Sequence, residues 1–562
     1  SSLSSHIQSS NNLGALRKDE GIAILARLIA NANHISPVVA VSAEDFNLHT
    51  KLKSIFEFVQ DCPRAEEAHS ISATSSELTY SGKLHSVVSS LNVKNVVEII
   101  KDVVKSVLQT SKSIGDEVSF STLGVDSMMA IEIAQNLKSI FRLSNLTETI
   151  AYDYPSPLLL AQHILHEGER AASVSLPVQS PKTGKTISSS IIVLGMECVF
   201  AQSASLEEYW NLLLSAQCGI SANCDHHYPA EDGEKAATVG WAPEIDLFDN
   251  DFFEITAAEA RGMDPQQRVL LQVTWNALHR SRISLAEVRE KTTSVYIGCG
   301  GSEYSLVVRD SGTRSAHSGY ATAGSVVAGR LSHFFGLEGE SVVVDTACSS
   351  SLVAVHQACR ALRDGKCTYS IVGGVSLIVS MESTRLLHTM GALAKDGISR
   401  TFDVGAQGYV RGEGCGVVVL GKEGEVVEGC RGLARIAGSG VNHDGRANSL
   451  TAPRGPAQEK VIEEALREAG VRGRDVQVVE AHGTSTQLGD PIEMQALRRV
   501  YGGEGRRSAL MVGSVKNNIG HCEAAAGMAG LIKMVLSLKH GVIPAHIGLR
   551  SANPYLGDFE EG

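Results

Sequence analysis

Positive charge, membrane-length apolar runs and paired cysteines are all scarce in this chain of 562 residues. Lys and Arg number 50 against 62 Asp and Glu, a formal net charge of −12. Nucleic-acid binders normally carry the opposite, basic footprint, so that class is excluded. No apolar run reaches the roughly 18 residues that a membrane helix needs, and no membrane span is expected. The 11 cysteines show neither CxxC pairs nor Cys/His ligand spacing. A disulfide scaffold and a structural metal site are therefore not expected, and a reducing compartment is. That compartment is taken as the cytoplasm. An organelle address stays open, because the chain starts at Ser1 without an initiator Met. What is present suffices to fold: 43% of residues are apolar and 20% charged, which excludes global disorder. The length predicts about three to four domains.

Glycine divides the chain. Residues 1–186 hold seven of the 54 glycines and only Cys62 among the cysteines. Within that part, residues 61–82 lose periodicity and read as a linker. From 83 to 168 apolar residues recur at three and four: Val96, Ile99, Ile100, Val103, Val104, Val107, then Ala130, Ile133, Ala134, Leu137, Ile140, Phe141. This predicts three or four amphipathic helices packed as a compact bundle. Residues 169–189 read as a second linker. From 190 to 562 the pattern is αβ, with continuous apolar runs such as SSIIVLG, ESVVVDTA and GCGVVVLG bounded by glycine. Such runs fit a sheet covered on both faces.

Within the expected bundle, Leu123-Gly-Val-Asp-Ser-Met128 runs directly into a helix. Asp126 is a reasonable N-cap and leaves Ser127 in the first turn. An anionic substituent there would meet free backbone N–H groups and the positive end of the helix dipole. Read on spacing alone, Ser127 is a second capping residue, since Asp-Ser at a helix start is common. LGVDSMMAIEIAQNLKSIF, with one long helix before it and shorter ones after, resembles acyl carrier proteins of type I polyketide synthases. The resemblance implies an α four-helix bundle with 4′-phosphopantetheine attached to Ser127. Met128 replaces the usual Leu, a volume-conserving exchange.

In Glu340–Leu352, ESVVVDTACSSSL, a buried strand meets a helix through small residues, with Cys348 at the junction. A thiol near a helix N-terminus can drop from about 8.5 into the ~3.5–7.5 range. That makes Cys348 a candidate nucleophile; a buried structural cysteine is the alternative. His482 follows the strand DVQVVEA, and His521 follows MVGSVKNNIG. Both lie where parallel strands end, the edge at which ligands bind in open αβ sheets. Local sequence leaves open structural histidines, a Cys-His hydrolase and a partial metal set. DTACSSSL, EAHGTSTQLGDPIE and VKNNIGHCEAAAG, in this order, are similar to the β-ketoacyl synthase domain of modular polyketide synthases. MDPQQRVLLQVTWNAL, GYVRGEGCGVVVL and GVNHDGRANSLTAPRGPAQ belong to the same pattern.

This resemblance implies an α/β thiolase fold over residues 190–562: two related halves in a five-layered αβαβα sandwich, usually a homodimer. It places the nucleophile on Cys348 and the catalytic histidines on His482 and His521, with no metal. Lys516 falls on the lysine that structures the site, and Thr484 and Thr486 on residues approaching the pantetheine arm. Ser485 stands where the family commonly has Gly. The implied activity is acyl transfer to Cys348 followed by decarboxylative Claisen condensation with a malonyl-type carrier thioester. The implied partners are carrier-bound thioesters, a phosphopantetheinyl transferase, an acyltransferase and other synthase modules. The family's Gly-Phe-Gly-Gly-Thr-Asn segment does not occur before Gly562, so an incomplete synthase C-terminus is expected. Residues 1–60 resemble the C-terminal edge of a ketoreductase, with an ordered linker helix as the alternative. A fatty acid synthase segment, or a non-catalytic dimerising scaffold presenting a carrier, are the competing functions.

Overall fold

The computed structural model describes residues 92–125, 127–141, 143, 146–147, 149–172, 190–222, 238–310, 317–426, 432–502, 505–506 and 508–557. The ketoreductase-like stretch 1–60, the linker 61–82 and most of the linker 169–189 lie outside them. Contacts divide the chain into two compact units, residues 1–114 with 161–174, and residues 115–160 with 175–562. No described helix is long and apolar enough to cross a membrane.

In the first unit, helix α1 (Val93–Val107) begins where the Asn92 side chain accepts the Asn95 N–H at 3.0 Å. This cap satisfies one of the orphan donors of the first turn. Val96, Ile100, Val103 and Val104, spaced by three and four, are buried. The second unit contributes α2 (Ser127–Phe141) and α3 (Ile150–Asp153), and the residues of α4 (Pro157–Ala172) are divided between the two units. Helices thus form at each of the expected apolar repeats.

The rest of the second unit is built on a six-stranded sheet. Its strands are β1 (Ile191–Phe200), β2 (Thr293–Cys299), β3 (Ser341–Val344), β4 (Tyr369–Ser376), β5 (Gly414–Lys422) and β6 (Ala434–Ile436), in the order β3-β2-β4-β5-β1-β6. β3, β2 and β4 run parallel, and β5 and β1 add antiparallel. Helices α5 (Pro265–Ser281) and α6 (Gly324–Phe335) cover one face; α7 (Ser350–Arg363) covers the other. Beyond lie α8 (Gly455–Ala469), β7 (Val478–Glu480), α9 (Gly489–Tyr501), β8 (Met511–Gly513) and α10 (Ala526–His540).

Alternation along the strands explains why the runs are apolar throughout. Val417 and Val419 enter the core under α5, while Val418 and Leu420 enter the core shared with α7 and α10. Each such side chain contributes roughly 1.5–3 kcal/mol when fully buried. On the far side of α10, parallel strands β7 and β8 form a second sheet. Val479, Ala481 and Val512 pack there against Met494 and Leu497 of α9. The layers therefore alternate helix, sheet, helix, sheet, helix, as in a thiolase fold.

Candidate active site

Three loops at the C-terminal ends of parallel strands carry Cys348, His482 and His521. The first joins β3 to α7. Ala347 adopts φ +54°, a left-handed conformation that costs a non-glycine residue about 1–2 kcal/mol. The turn is held by Thr346 N–H donating to Ser350 Oγ (2.9 Å) and Ser349 Oγ donating to the Thr346 carbonyl (2.9 Å). Cys348 is half-buried on this elbow.

Burial pushes the Cys348 thiol up to about 11; the Glu523 carboxylate adds to this and the Lys516 ammonium opposes it. The low-pKa thiolate expected from the helix terminus is therefore corrected. Lost hydration of the anion opposes ionisation, because Cys348 is largely walled by protein.

The second loop follows β7. His482 is exposed to solvent, although protein surrounds much of its ring. The Glu493 carboxylate accepts the His482 N–H at 2.6 Å and the Gly483 N–H at 2.8 Å. Lys516 Nζ donates to the His482 carbonyl. The backbone on both sides of the imidazole is thus fixed by buried charged groups.

The third loop follows β8 through the short helix Lys516–Ile519. Gly520 has φ +76°, and a Cβ there would stand 2.5 Å from the Arg411 carbonyl oxygen, so only glycine fits. Next to it, His521 N–H donates to the Val410 carbonyl (2.7 Å), and Gly412 N–H donates to the His521 carbonyl (2.9 Å). His521 is fully buried.

The ligating atoms of Cys348, His482 and His521 all lie within 4.8 Å of one another. The two imidazoles meet edge-to-face at 5.7 Å between centroids, and Tyr409 packs 4.8 Å from His521. Burial, then the Lys516 ammonium, lowers the basicity of both histidines, so both are neutral near pH 7. His521 Nδ1 accepts the Glu523 N–H at 2.9 Å. In a neutral ring the proton must then sit on Nε2, which is buried and meets no acceptor among the described residues. Nε2–H is therefore a buried donor with no partner among the described residues. The same tautomer argues against zinc, since a metal needs the lone pair of the nitrogen that here carries the proton.

Lys516 joins this cluster, but no described contact joins Thr484 or Thr486 to it. Thr486 Oγ1 instead accepts the Gly489 N–H (3.1 Å) at the start of α9. Ser485, at φ +57°, is buried with its hydroxyl 3.2 Å from that of Thr401. Glu493, Tyr409 and Glu523 escaped the sequence reading. An acidic residue in the first turns of the helix after the His482 loop was the available signal for Glu493.

Ser127 opens α2; its side chain lies outside the described residues. The first turn of this 15-residue helix holds no acidic side chain, and nothing lies within 4 Å of the position a Cβ would take on Gly124. A phosphodiester fits such a helix start.

Family profiles match in three places. Residues 188–425 match "Beta-ketoacyl synthase, N-terminal domain" and 433–550 match "Beta-ketoacyl synthase, C-terminal domain". Residues 98–164 match "Phosphopantetheine attachment site". The spectinabilin polyketide synthase system protein NorA' of Streptomyces orinoci is 40% identical over 454 residues, 79% of this chain and 12% of its own length. The polyketide synthase GfsA of Streptomyces halstedii is 38% identical over 483 residues, covering 82% and 6%. The pikromycin polyketide synthase component PikAII of Streptomyces venezuelae is 39% identical, covering 76% and 12%. The chain thus spans an eighth or less of the length of these three relatives. Among solved structures, the oxazolomycin ketosynthase domain OzmH KS7 of Streptomyces albus JA3453 superposes with a TM-score of 0.62 at 34% identity, covering 66% of each chain. The ketosynthase from module 6 of the bacillaene synthase of Bacillus subtilis 168 gives 0.60 at 33%, covering 66% of this chain and 64% of its own.

Proposed function

Because this chain belongs to the β-ketoacyl synthase family, with a phosphopantetheine attachment domain ahead of the synthase, we propose that it is a polyketide synthase segment whose Cys348 forms carbon–carbon bonds by decarboxylative condensation. The phosphopantetheine that Ser127 would hold supplies a thiol on a long arm. The observation that carries the reading is the convergence of one thiol and two neutral imidazoles within 4.8 Å, with the His521 Nε2–H uncommitted.

The Cys348 sulfur attacks the carbonyl carbon of an acyl thioester. The old C–S bond breaks, and the thiol proton leaves with the departing thiol. A malonyl-type thioester then binds beside Cys348. Its C–CO₂⁻ bond breaks, carbon dioxide leaves, and the electron pair becomes an enolate. His521 Nε2–H, with the His482 ring beside it, stabilises the charge on the enolate oxygen as it develops. Donors aimed in advance at such an oxygen are worth about 2.7–4 kcal/mol each. The enolate carbon attacks the Cys348 thioester, the new C–C bond forms, and the sulfur departs as thiolate and is reprotonated. Lys516 and Glu493 keep His482 in place; Thr484 and Thr486 flank the arm.

In this reading residues 83–168 are the carrier and 190–562 the synthase. A phosphopantetheinyl transferase modifies Ser127, an acyltransferase supplies the extender, and other modules pass the chain along. A second copy pairs along β3, the terminal strand of the six-stranded sheet among the described residues. In this reading the protein works in a reducing compartment, the cytoplasm. Incubation with radiolabelled acyl thioester is expected to mark the wild type and leave Cys348→Ala blank. Equal labelling of both removes the nucleophile.

A further inference from the structure

Away from Cys348, two stretches about three hundred residues apart in sequence meet through polar contacts, most of them partly buried. Both belong to the second compact unit. One comprises residues 117–121 and 149–155, which flank helix α2, the helix that Ser127 opens. The other comprises residues 446–455, with Gln495 and Arg499 of α9.

At the centre, Asp153 is 2% exposed. Its Oδ1 accepts the Gly455 N–H at 3.1 Å, at the start of the 15-residue helix α8. A buried carboxylate needs such an answer, and a helix N-terminus supplies both a free donor and favourable potential. A Cβ on Gly455 would come within 2.9 Å of that oxygen, so glycine permits the approach. Arg454 Nε donates to the Asp153 carbonyl at 3.3 Å. Arg499, paired with Glu459 at 2.6 Å, also attracts the Asp153 carboxylate.

Around this centre the contacts match group for group. Thr149 Oγ1 donates to Gln495 Oε1 at 2.8 Å. Asn448, 6% exposed, presents Oδ1 to the Ser121 N–H at 3.1 Å and to Ser119 Oγ at 3.2 Å. Arg446 donates to the Glu117 carbonyl at 3.3 Å. Charge, donor and acceptor are each answered from the opposite stretch, which random apposition of two polar surfaces would not provide.

We propose that residues 446–455 with Gln495 form a recognition socket for the phosphopantetheine-bearing segment of this chain, keyed by Asp153. The function assigned to the socket, seating the carrier for transfer to Cys348, rests on the reading of Ser127 and Cys348 above. The contact itself does not.

The test uses the full chain with Ser127 modified, carrying Asp153→Arg on one side of the contact or Asn448→Ala on the other. Amide hydrogen exchange at Ser121 and Gly455 is expected to speed up at least tenfold in Asp153→Arg, with a smaller acceleration in Asn448→Ala. Single-turnover transfer from the loaded Ser127 arm to Cys348 is expected to slow about tenfold in Asp153→Arg. Acylation of Cys348 by a free acyl N-acetylcysteamine thioester keeps its wild-type rate. Unchanged exchange in both variants overturns the socket, as does unchanged transfer alongside faster exchange for its role in seating the carrier. Should Asp153→Arg misfold, Asn448→Ala reads the same contact from the synthase side. A wild type that the free thioester fails to acylate would remove the functional reading and leave the exchange result standing.

Discussion

At pH 7 almost all of a thiol whose pKa burial has pushed up to about 11 is protonated. Thiolate is the attacking species, so alkylation of Cys348 by iodoacetamide should accelerate about tenfold per pH unit through the neutral and mildly alkaline range. Peptide mass spectrometry follows the rate, and a plateau below pH 8 would contradict it. The chemistry of Cys348 was only half legible in the sequence. Its place at a strand–helix junction follows from ESVVVDTACSSSL, because apolar β-branched residues must become a strand and small residues must turn. Its proton affinity does not follow. That depends on how much water the walls exclude and on Glu523 and Lys516, which lie more than 160 residues away.

At the scale of loops and helices, the His482 backbone is held by hydrogen bonds to Glu493 and Lys516, whereas His521 is also held through its ring by the Glu523 N–H. Both His482 and Gly483 donate to the one Glu493 carboxylate. Glu493→Gln can accept only one of these N–H groups, and its amide opposes the other. A lost hydrogen bond to a charged acceptor costs about 1.5–3 kcal/mol, which a lower denaturant midpoint should report. The decarboxylation rate is expected to fall while alkylation of Cys348 is unchanged. A purely structural role would move stability without separating those two rates. The elements themselves were legible: amphipathic repeats marked α1 and α2, and apolar runs marked β1, β3 and β5. Their partners were not. β1 lies between β5 and β6, which no local pattern states, since strands buried on both faces look alike.

Across the whole molecule, buried acids and buried histidines set opposing pH limits. Burial pushes Glu413 up to about 8 and Asp490 up to about 7. Both folded values exceed the unfolded ones, so the stability they contribute is lost as pH rises through 7 and 8. The fully buried His521 and the half-buried His546 are lowered, chiefly by burial. Their contribution is present above the unfolded value of about 6.5 and is lost as pH falls below it. Resistance to urea should therefore fall between about pH 6.5 and 8, and Glu413→Gln should flatten this arm. A monotonic rise from pH 6 to 8.5 would refute this balance. The amino-acid order alone determined the αβ class and the helical segment around Ser127, because periodicity acts locally; for Cys348, His482 and His521 it fixed a place at strand ends and left their roles to a resemblance. Only the tertiary structure decided that three loops from two different sheets close on one volume, which nitrogen of His521 bears the proton, and how firmly the thiol keeps its own. Those properties arise from distances and lost water, and both exist only once the layers have packed.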